Sequence, residues 1–436
     1  MSQSNVLTRE LVTLVGLEST FANVPAGSFP NAMTTLVVMN DDLPKPKTEI
    51  LPNQDLRTRR FDILQPVHGL TMDSEPPALS CYLKATPSAQ QLVASASPTG
   101  MAVQIPLIAA FGTIVQAAGS TVTAAGSSGT TVQVQVGDIN NFIKGTVILV
   151  QTSVGMEWAV VEAISVGSHT LTVSPKFQGT HTDGNQVRNL YNCIPTEGHT
   201  KTLSIQRAHT GDTAAQWTFY GCRMDVAFTL PEPGKLPFVT FTGKAASYVG
   251  FASQSITIPA TITDDMNAPA IFAPQVYVYT HSAGVAGPRS GLKLVAESYT
   301  VTFKNNWEMV RDGGAVDGAG NATTIASVVN TGGKQGSVQA TLKLRWDSSW
   351  HSTFTGQTDQ QLVIVQQIGT GTAATFWIFQ MPVAQIIAET EPTKVGDRVY
   401  QTLTFEGRQD NTITPAGGET TTQLDAIYAP LRVAFG

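Results

Sequence analysis

Charged residues are scarce in this chain of 436 residues. Lys, Arg, Asp and Glu make up 13% of it, about half the usual quarter for a soluble domain. Such a composition excludes a coiled coil or helical bundle, which needs abundant Glu and Lys at heptad spacing. The net charge is −6, whereas a protein that binds nucleic-acid phosphates tightly is usually basic. We therefore expect neither a coiled coil or helical bundle nor a tight nucleic-acid-binding protein.

Cysteines and long apolar runs are also few. The chain has 3 cysteines, Cys81, Cys193 and Cys222, and no Cys-x-x-Cys pair. Because they are odd in number and far apart, we expect free, buried thiols rather than a disulfide framework or a zinc knuckle. No apolar run approaches the ~20 residues of a membrane-spanning helix, and the polar N-terminus lacks the pattern of a signal peptide. We therefore expect synthesis in a reducing cytosol and no membrane insertion.

Threonine and hydrophobic residues are abundant instead. The chain has 55 threonines, almost as many as its 58 charged residues together, and 42% of its residues are hydrophobic. Hydrophobicity at this level, combined with a low net charge, excludes a disordered chain. The length fits two or three domains, and their surface should be neutral and rich in hydroxyl groups.

Alternating apolar and polar residues predict strands through most of the chain. β-Branched and aromatic residues fill these segments, while Gly, Pro, Asn and Asp separate them. Clear examples are residues 131–136, 276–279, 299–303 and 338–346. Helical periodicity is weak, and short helices are predicted only near residues 78–84, 101–111 and 322–329. The predicted fold class is therefore mainly β, with short flanking helices.

Residues 120–188 have the pattern of a small domain of their own. A stretch rich in Ala, Gly, Ser and Thr at 117–129 predicts a flexible linker. Strand-like runs follow it at residues 131–136, 145–152, 157–165 and 170–174. Several short strands in so few residues favour a small antiparallel barrel or sandwich, inserted into a larger domain. We call residues 120–188 the insert. A second loose region is expected at 283–291, between the two halves of the chain.

Two other parts of the chain share a sequence pattern. One contains Leu203-Ser-Ile, Thr213-Ala-Ala, Trp217 and a closing Phe241-Thr-Gly243. The other contains Leu362-Val-Ile, Thr372-Ala-Ala, Trp377 and a closing Phe405-Glu-Gly407. The two tryptophans are 160 residues apart and the two phenylalanines 164, which indicates two related β-units in one subunit. Residues 1–119 with 189–250 would form the first unit, and residues 251–436 the second.

A search for catalytic and binding motifs finds none. No phosphate-binding loop, nucleophile elbow or zinc-binding histidine pair occurs, and the 7 histidines are scattered. The adjacent carboxylates at 41–42 and 264–265 would point to opposite faces of a strand, so we interpret them as turn or loop residues. The basic cluster at 57–60 lacks the interleaved aromatics of a nucleic-acid surface. We therefore predict no catalytic, cofactor-binding or metal-binding residues, no cofactor and no enzymatic activity.

Three further stretches share features with a known family. They are Gly16-Leu-Glu18-Ser-Thr-Phe21, the run from Tyr220-Gly-Cys222 through Thr229-Leu230 to Phe241-Thr-Gly243, and Glu297–Asn306, which ends in Asn-Asn. Together they resemble the tail tube proteins of long-tailed, siphovirus-like bacteriophages. Ala22 stands where that family has a glycine at the end of its opening motif. The resemblance covers most of the chain outside the insert.

This resemblance implies tandem β-sandwich or barrel units that assemble into stacked rings. Family members with one unit form hexameric rings, and those with two in tandem form trimeric rings. The implied partners are other copies of the chain, a tape-measure protein in the lumen, and tail terminator and distal tail or baseplate proteins. Viral DNA would pass through without specific binding, which a net charge of −6 favours. The expected location is the virion, after synthesis in the bacterial cytoplasm.

The resemblance also implies that the insert, as a small β-barrel-like domain, decorates the exterior of the tube. A capsid decoration protein or head spike is an alternative interpretation, because it would also be β-rich, Thr-rich and weakly charged. It would form discrete trimers rather than polymerise. A baseplate or fibre protein of the tail is a further alternative.

Overall fold

Strands dominate the computed structural model and its helices are short, so the predicted mainly β fold class is confirmed. The structure describes residues 11–18, 34–36, 38–39, 47–51, 67–73, 76–83, 103–115, 118–123, 129–196, 199–209, 212–250, 275–280, 292–311, 325–330, 337–369, 371, 374–410, 413–415 and 417–436.

Secondary structure in the first half of the chain falls into three groups. The first comprises β1 (Leu11–Leu17), β2 (Thr34–Leu36), β3 (Lys47–Leu51), β4 (Val67–Asp73), β5 (Leu79–Tyr82), α1 (Gln104–Phe111) and β6 (Gly112–Val115). The second comprises β7 (Ser120–Thr121), β8 (Thr131–Gln133), β9 (Val147–Thr152), β10 (Gly155–Ser165), β11 (Thr170–Ser174) and β12 (Gln186–Asn189). The third comprises β13 (Tyr191–Pro195), β14 (Leu203–His209), β15 (Asp212–Leu230), β16 (Phe238–Lys244) and β17 (Ser247–Gly250).

The second half of the chain has longer strands. Up to its first helix it contains β18 (Gln275–Thr280), β19 (Leu292–Lys304), β20 (Trp307–Arg311), β21 (Ile325–Asn330), β22 (Ser337–Arg345) and α2 (Ser349–Thr355). It continues with β23 (Gln360–Ile368), β24 (Thr375–Glu389), β25 (Thr393–Val395), β26 (Arg398–Arg408), α3 (Thr421–Tyr428) and β27 (Arg432–Phe435).

The first unit is a ring of antiparallel strands built from β1, β2, β5, β14, β15 and β16. β1 pairs with β2 and β14, β14 with β15, β15 with β16, and β16 with β5. Just beyond β2, the amide of Met39 donates to the carbonyl of Ser80 in β5 at 2.7 Å and completes the ring. Closing a sheet in this way protects strand edges from unwanted pairing.

The second unit repeats this arrangement with β18, β19, β22, β23, β24 and β26. β18 pairs with β19 and β23, β23 with β24, β24 with β26, β26 with β22, and β22 with β19. The order along the chain also repeats. In each unit a two-stranded hairpin, β3–β4 or β20–β21, follows the second ring strand, and a helix, α1 or α2, follows the third.

The two units also share one pairing register. Equivalent residues have equivalent partners: Ile205–Phe219 and Ile364–Phe379, Val226–Phe241 and Ile386–Phe405, Thr218–Val249 and Ile378–Ala434. A slip of one residue would turn every side chain of a strand to its other face. The similarity seen in the sequence therefore corresponds to one strand arrangement used twice. The domain boundaries predicted from the sequence stay predictions.

The units are connected edge to edge by the pairing of β15 with β19, which we call the joint. In the joint Phe228 lies opposite Val301, and Thr229 lies opposite Thr300. The ring of Phe228 packs 4.8 Å from that of Phe379 in the second unit, measured between centroids. Because side chains of both units belong to one cluster of buried residues, a single hydrophobic core runs through the joint.

The strands of the insert form a separate six-stranded sheet in the order β7-β12-β9-β10-β11-β8. Alternate residues of β9 face two different cores, as period-two side-chain alternation requires. Ile148 lies in a core inside the insert, whereas Leu149 lies in a second core together with Phe376 and Ile378 of β24. Trp158 of β10 belongs to this second core and is 3% exposed. The insert is therefore packed against the second unit through a layer of apolar side chains.

Some local predictions from the sequence are wrong. The helix predicted at 78–84 is strand β5, whose residues alternate between buried and more exposed positions while it pairs with β16. The helix predicted at 322–329 overlaps strand β21, which pairs with β20. In the predicted linker, Ser120 and Thr121 form β7 and pair with β12. In each case pairing with a distant strand outweighs a weak local pattern.

Other local predictions are confirmed or lie outside the described residues. The helix predicted at 101–111 is α1 (Gln104–Phe111), and the three cysteines are free and buried. Helices α2 and α3 were missed, although α3 starts with a capping box in which Thr420 and Gln423 bond each other's backbone amides. The carboxylates at 41–42 and 264–265, the basic cluster at 57–60 and the loose region at 283–291 lie outside the described residues.

Candidate functional site: the joint and its buried polar cluster

Strand β15 changes partners at Gly221. It pairs with β17 up to Tyr220 and with β14 up to Cys222, and from Arg223 onward it pairs with β16 and then also with β19. Gly221 has a φ of 63°, a left-handed conformation that favours glycine because a Cβ atom is disfavoured there. Buried polar side chains lie at this change of partners, where strands of both units meet.

Glu18, the residue after β1, connects three strands at this point. Its Oε1 accepts hydrogen bonds from the amide of Gly221 at 2.8 Å and from the hydroxyl of Ser204 at 2.7 Å. Its Oε2 accepts one from the hydroxyl of Thr202 at 2.7 Å. Glu18 is 8% exposed, and a buried carboxylate is tolerated when donors satisfy its oxygens. Glu18 thus holds β1 against β14 and β15.

Arg223 and Trp307 form a cation–π contact beside this carboxylate. The guanidinium carbon of Arg223 lies 4.7 Å from the centre of the Trp307 ring. Its Nη1 donates to the carbonyl of His199, and the His199 ring lies edge-on to Trp307 with centroids 5.3 Å apart. Burial lowers the pKa of Arg223 to about 10. Burial and the charge of Arg223 lower the pKa of His199 to about 4, so its imidazole is neutral at pH 7.

Asn305 fixes the end of β19 to the first unit. Its amide donates to Asp225 Oδ1 at 2.7 Å, and its side-chain Nδ2 donates to the carbonyls of Ala110 at 2.8 Å and Met224 at 3.1 Å. The indole Nε1 of Trp307 donates to the same Met224 carbonyl at 3.2 Å. Burial raises the pKa of Asp225. These bonds hold α1, β15 and the start of the hairpin β20–β21 in one arrangement.

The cluster has the chemistry of a structural clamp. Its carboxylates accept hydrogen bonds from backbone and hydroxyl donors, and Cys222 is fully buried with its pKa raised by that burial. A reactive thiol needs a lowered pKa and access to solvent. In the part of the chain that the structure describes, no three His, Cys, Asp or Glu residues are close enough to hold a metal ion.

The stretches that carry the family resemblance meet in this cluster. Glu18 of the opening motif binds Gly221 of the Gly-Cys motif. Asn305 of the Asn-Asn ending binds the backbone of Met224, three residues further along β15. Sequence reasoning missed Arg223, His199 and Trp307, because their contact depends on pairings between distant strands. A Trp directly after Asn-Asn was the only local signal available.

The second polar cluster lies where the insert meets the second unit. Asp410 and Arg432 form a buried ion pair at 2.7 Å, and Arg432 Nη2 also donates to the carbonyl of Ile427 at the end of α3. Lys144 of the insert pairs with Glu419 at 3.1 Å, just before α3. The Lys144–Glu419 pair thus adds a polar contact to the apolar layer between the insert and the second unit.

One strand edge of the second unit is open among the described residues. Beyond Ala384, β24 pairs only with β26, whereas the equivalent stretch of β15 has β16 on one edge and β19 on the other. Ile387 on this stretch is 38% exposed. Open edges present backbone donors and acceptors to any strand that can reach them.

The hairpins β3–β4 and β20–β21 form another candidate contact surface. Each is a two-stranded sheet that pairs with no other described strand. Val310 in β20 is 43% exposed. Because a lone hairpin is only marginally stable in water, these two are suited to packing against another surface.

A scan against protein-family models and a search of curated proteins find no match to this chain. Among the helices of the described residues, none is long and apolar enough to cross a membrane.

Proposed function

We propose that this chain is a structural virion protein that self-assembles into stacked rings and forms the tail tube of a long-tailed bacteriophage. The observation that carries the proposal is the repeated unit. Two rings of strands with the same pairing register lie edge to edge in one chain. A repeated head-to-tail contact forms a ring when its rotation closes after a whole number of copies, and a chain with two units would supply two positions of that ring.

The hairpins support stacking of such rings. β3–β4 and β20–β21 occupy the same place in the two units, directly after β2 and β19. A contact that must recur around a ring requires the same element in every unit. Hairpins with unpaired edges at both places meet this requirement, and they would contact the neighbouring ring.

The composition and charge support a channel for DNA. A tube wall that bound phosphates would retain the genome, and a net charge of −6 disfavours such binding. The lumen would hold a tape-measure protein before it carries viral DNA into the host cell. Tail terminator and baseplate proteins would bind the two ends of the tube. The insert would lie on the exterior of the tube.

Negative-stain electron microscopy of the purified protein at high concentration tests the proposal. Long tubes with a central channel are the expected result. Discrete trimers that do not stack would overturn it in favour of a capsid decoration protein or head spike. Monomers at all concentrations would overturn both interpretations.

A further inference from the structure

We infer that the joint recurs between chains, with the open edge of β24 in one copy pairing with the segment just after β2 in the next copy. This inference rests on the proposed function, because it names the contact through which copies would form the ring. It follows from comparing the two units residue by residue.

Thr390 in the second unit stands in the place of Thr229 in the first. Thr229 lies opposite Phe238 in β16, and the amide of Thr390 donates to the carbonyl of Thr402 in β26 at 2.9 Å. Phe238 and Thr402 each precede the closing Phe of their unit, Phe241 or Phe405, by three residues. One extra residue at a bulge of β24, between Ile386 and Ala388, shifts the count by one.

Met39 in the first unit stands in the place of Thr300 in the second. Met39 bonds to Ser80 of β5, and Thr300 lies opposite Thr341 of β22. Ser80 and Thr341 are themselves equivalent, because each hydroxyl meets that of the threonine preceding the closing Phe. These distances are 2.9 Å for Ser80 with Thr240 and 3.4 Å for Thr341 with Thr404.

One chain therefore contains one complete joint, between β15 and β19, and two strand edges that could together form a second joint, which is why we call the first one the filled joint. Thr229 and Thr300 face each other in the filled joint. Thr390 and Met39 are their counterparts on the far sides of the two units; Met39 is 44% exposed and Thr390 is also exposed. No described strand lies on either of these two edges. A second copy of this chain is the occupant that continues an existing interface with the same geometry.

Disulfide trapping in the full chain tests this contact. Directly opposed residues in an antiparallel pair have Cα atoms roughly 4.5–5.5 Å apart, within the range that a disulfide can bridge. The double variant Met39→Cys/Thr390→Cys places one thiol on each open edge, and the natural cysteines are buried. Under diamide at concentrations that allow association, we expect a ladder of covalent multimers on non-reducing gels. A reductant should return the ladder to monomer.

The matched control is Met39→Cys/Val154→Cys, because Val154 lies in an insert turn and is 64% exposed. Multimers no more abundant than in this control, or a link formed only within one chain, would overturn the inference. Tubes in the microscope without these cross-links would leave the proposed function standing and reject this contact. Closed covalent rings without tubes would support the contact and reject the tube.

Discussion

Glu18 and Gly221, 203 residues apart in the chain, are joined by a 2.8 Å hydrogen bond from the amide of Gly221 to the carboxylate of Glu18. Glu18 follows the first strand of the first unit, and Gly221 lies where β15 turns from the first unit towards the joint. The bond therefore connects the closure of one unit to the start of the contact between the two. Loss of this hydrogen bond should therefore weaken both the first unit and the contact between the two units.

We expect Glu18→Ala to destabilise the chain strongly, because it removes the acceptor for the Gly221 amide and for the hydroxyls of Thr202 and Ser204. Each buried donor left without a partner costs about 1–3 kcal/mol, so a loss of roughly 3 kcal/mol or more is expected in urea unfolding. Glu18→Gln should cost less, since it keeps an acceptor. Glu232→Gln, at an exposed position, is the control for Glu18→Gln. An equal change in the free energy of unfolding for these two variants would contradict the role of Glu18 as a buried acceptor.

Acid should weaken the fold through His199. The pKa of His199 is lowered from 6.5 to about 4, so the unfolded chain binds this proton more readily than the folded chain. The stability gained from keeping the imidazole neutral is present above pH 6.5 and is lost as pH falls towards 4. At about 1.4 kcal/mol per pH unit, one such group contributes roughly 3 kcal/mol across that window.

His199→Phe keeps an aromatic edge against Trp307 and removes the titration. The measurement is the free energy of unfolding of both proteins between pH 4 and pH 7. We expect the difference between them to change across the window, with the variant less sensitive to acid. Parallel curves would show that His199 is equally easy to protonate in the folded and unfolded chains.

Phe228→Ala should loosen the joint. The Phe228 side chain is fully buried and packs 4.8 Å from Phe379 across the joint, measured between ring centroids. Removing a buried phenylalanine costs about 3–5 kcal/mol, because a cavity is left where the ring was. Thermal unfolding is the measurement, with Val154→Ala as the exposed control, which should change stability by less than about 0.5 kcal/mol. A Phe228→Ala protein as stable as this control would mean that the joint contributes little to the fold.

The buried pair of Asp410 and Arg432 should be costly to break on one side. Asp410→Ala leaves the Arg432 guanidinium, whose side chain is 5% exposed, without its carboxylate, and such a loss typically costs about 3–5 kcal/mol. Asp410→Ala/Arg432→Met removes both charges and should recover much of the stability. Chemical unfolding of the wild type, the two single variants and the double variant measures this coupling. A double variant no more stable than Asp410→Ala would argue against the pairing.

Features that depend on the pattern of neighbouring residues could be predicted from the sequence. The repeat built on Trp217 and Trp377 identified strands that have the same register in both units. Strand positions in the insert followed from short β-branched runs separated by Gly, Asn and Asp, although the burial of both faces of β9 did not. The free, buried state of the cysteines followed from their number and spacing.

Features that depend on contacts between distant parts of the chain could not be predicted from the sequence. Residues 78–84 were assigned to a helix because their strand character comes from pairing with β16, about which the local pattern says nothing. The contact of Arg223 with Trp307 needs β15 and β20 to be adjacent. The apolar layer between the insert and β24 was missed for the same reason, since Trp158 reads equally well as a core residue of an independent domain.

The pairing of β1 with β14 constrains the order in which the chain can fold during synthesis. Val15 cannot pair until Ile205, its partner in the register, has been synthesised. The first unit therefore cannot close until the ribosome has passed the whole insert. The insert meanwhile has its own sheet and inner core complete once residue 189 has been made. The insert can therefore fold before the first unit closes. It lies between β1 and β14 along the chain, so β1 stays unpaired while the insert is being made. Unpaired β1 strands on neighbouring nascent chains would be the species most exposed to premature association.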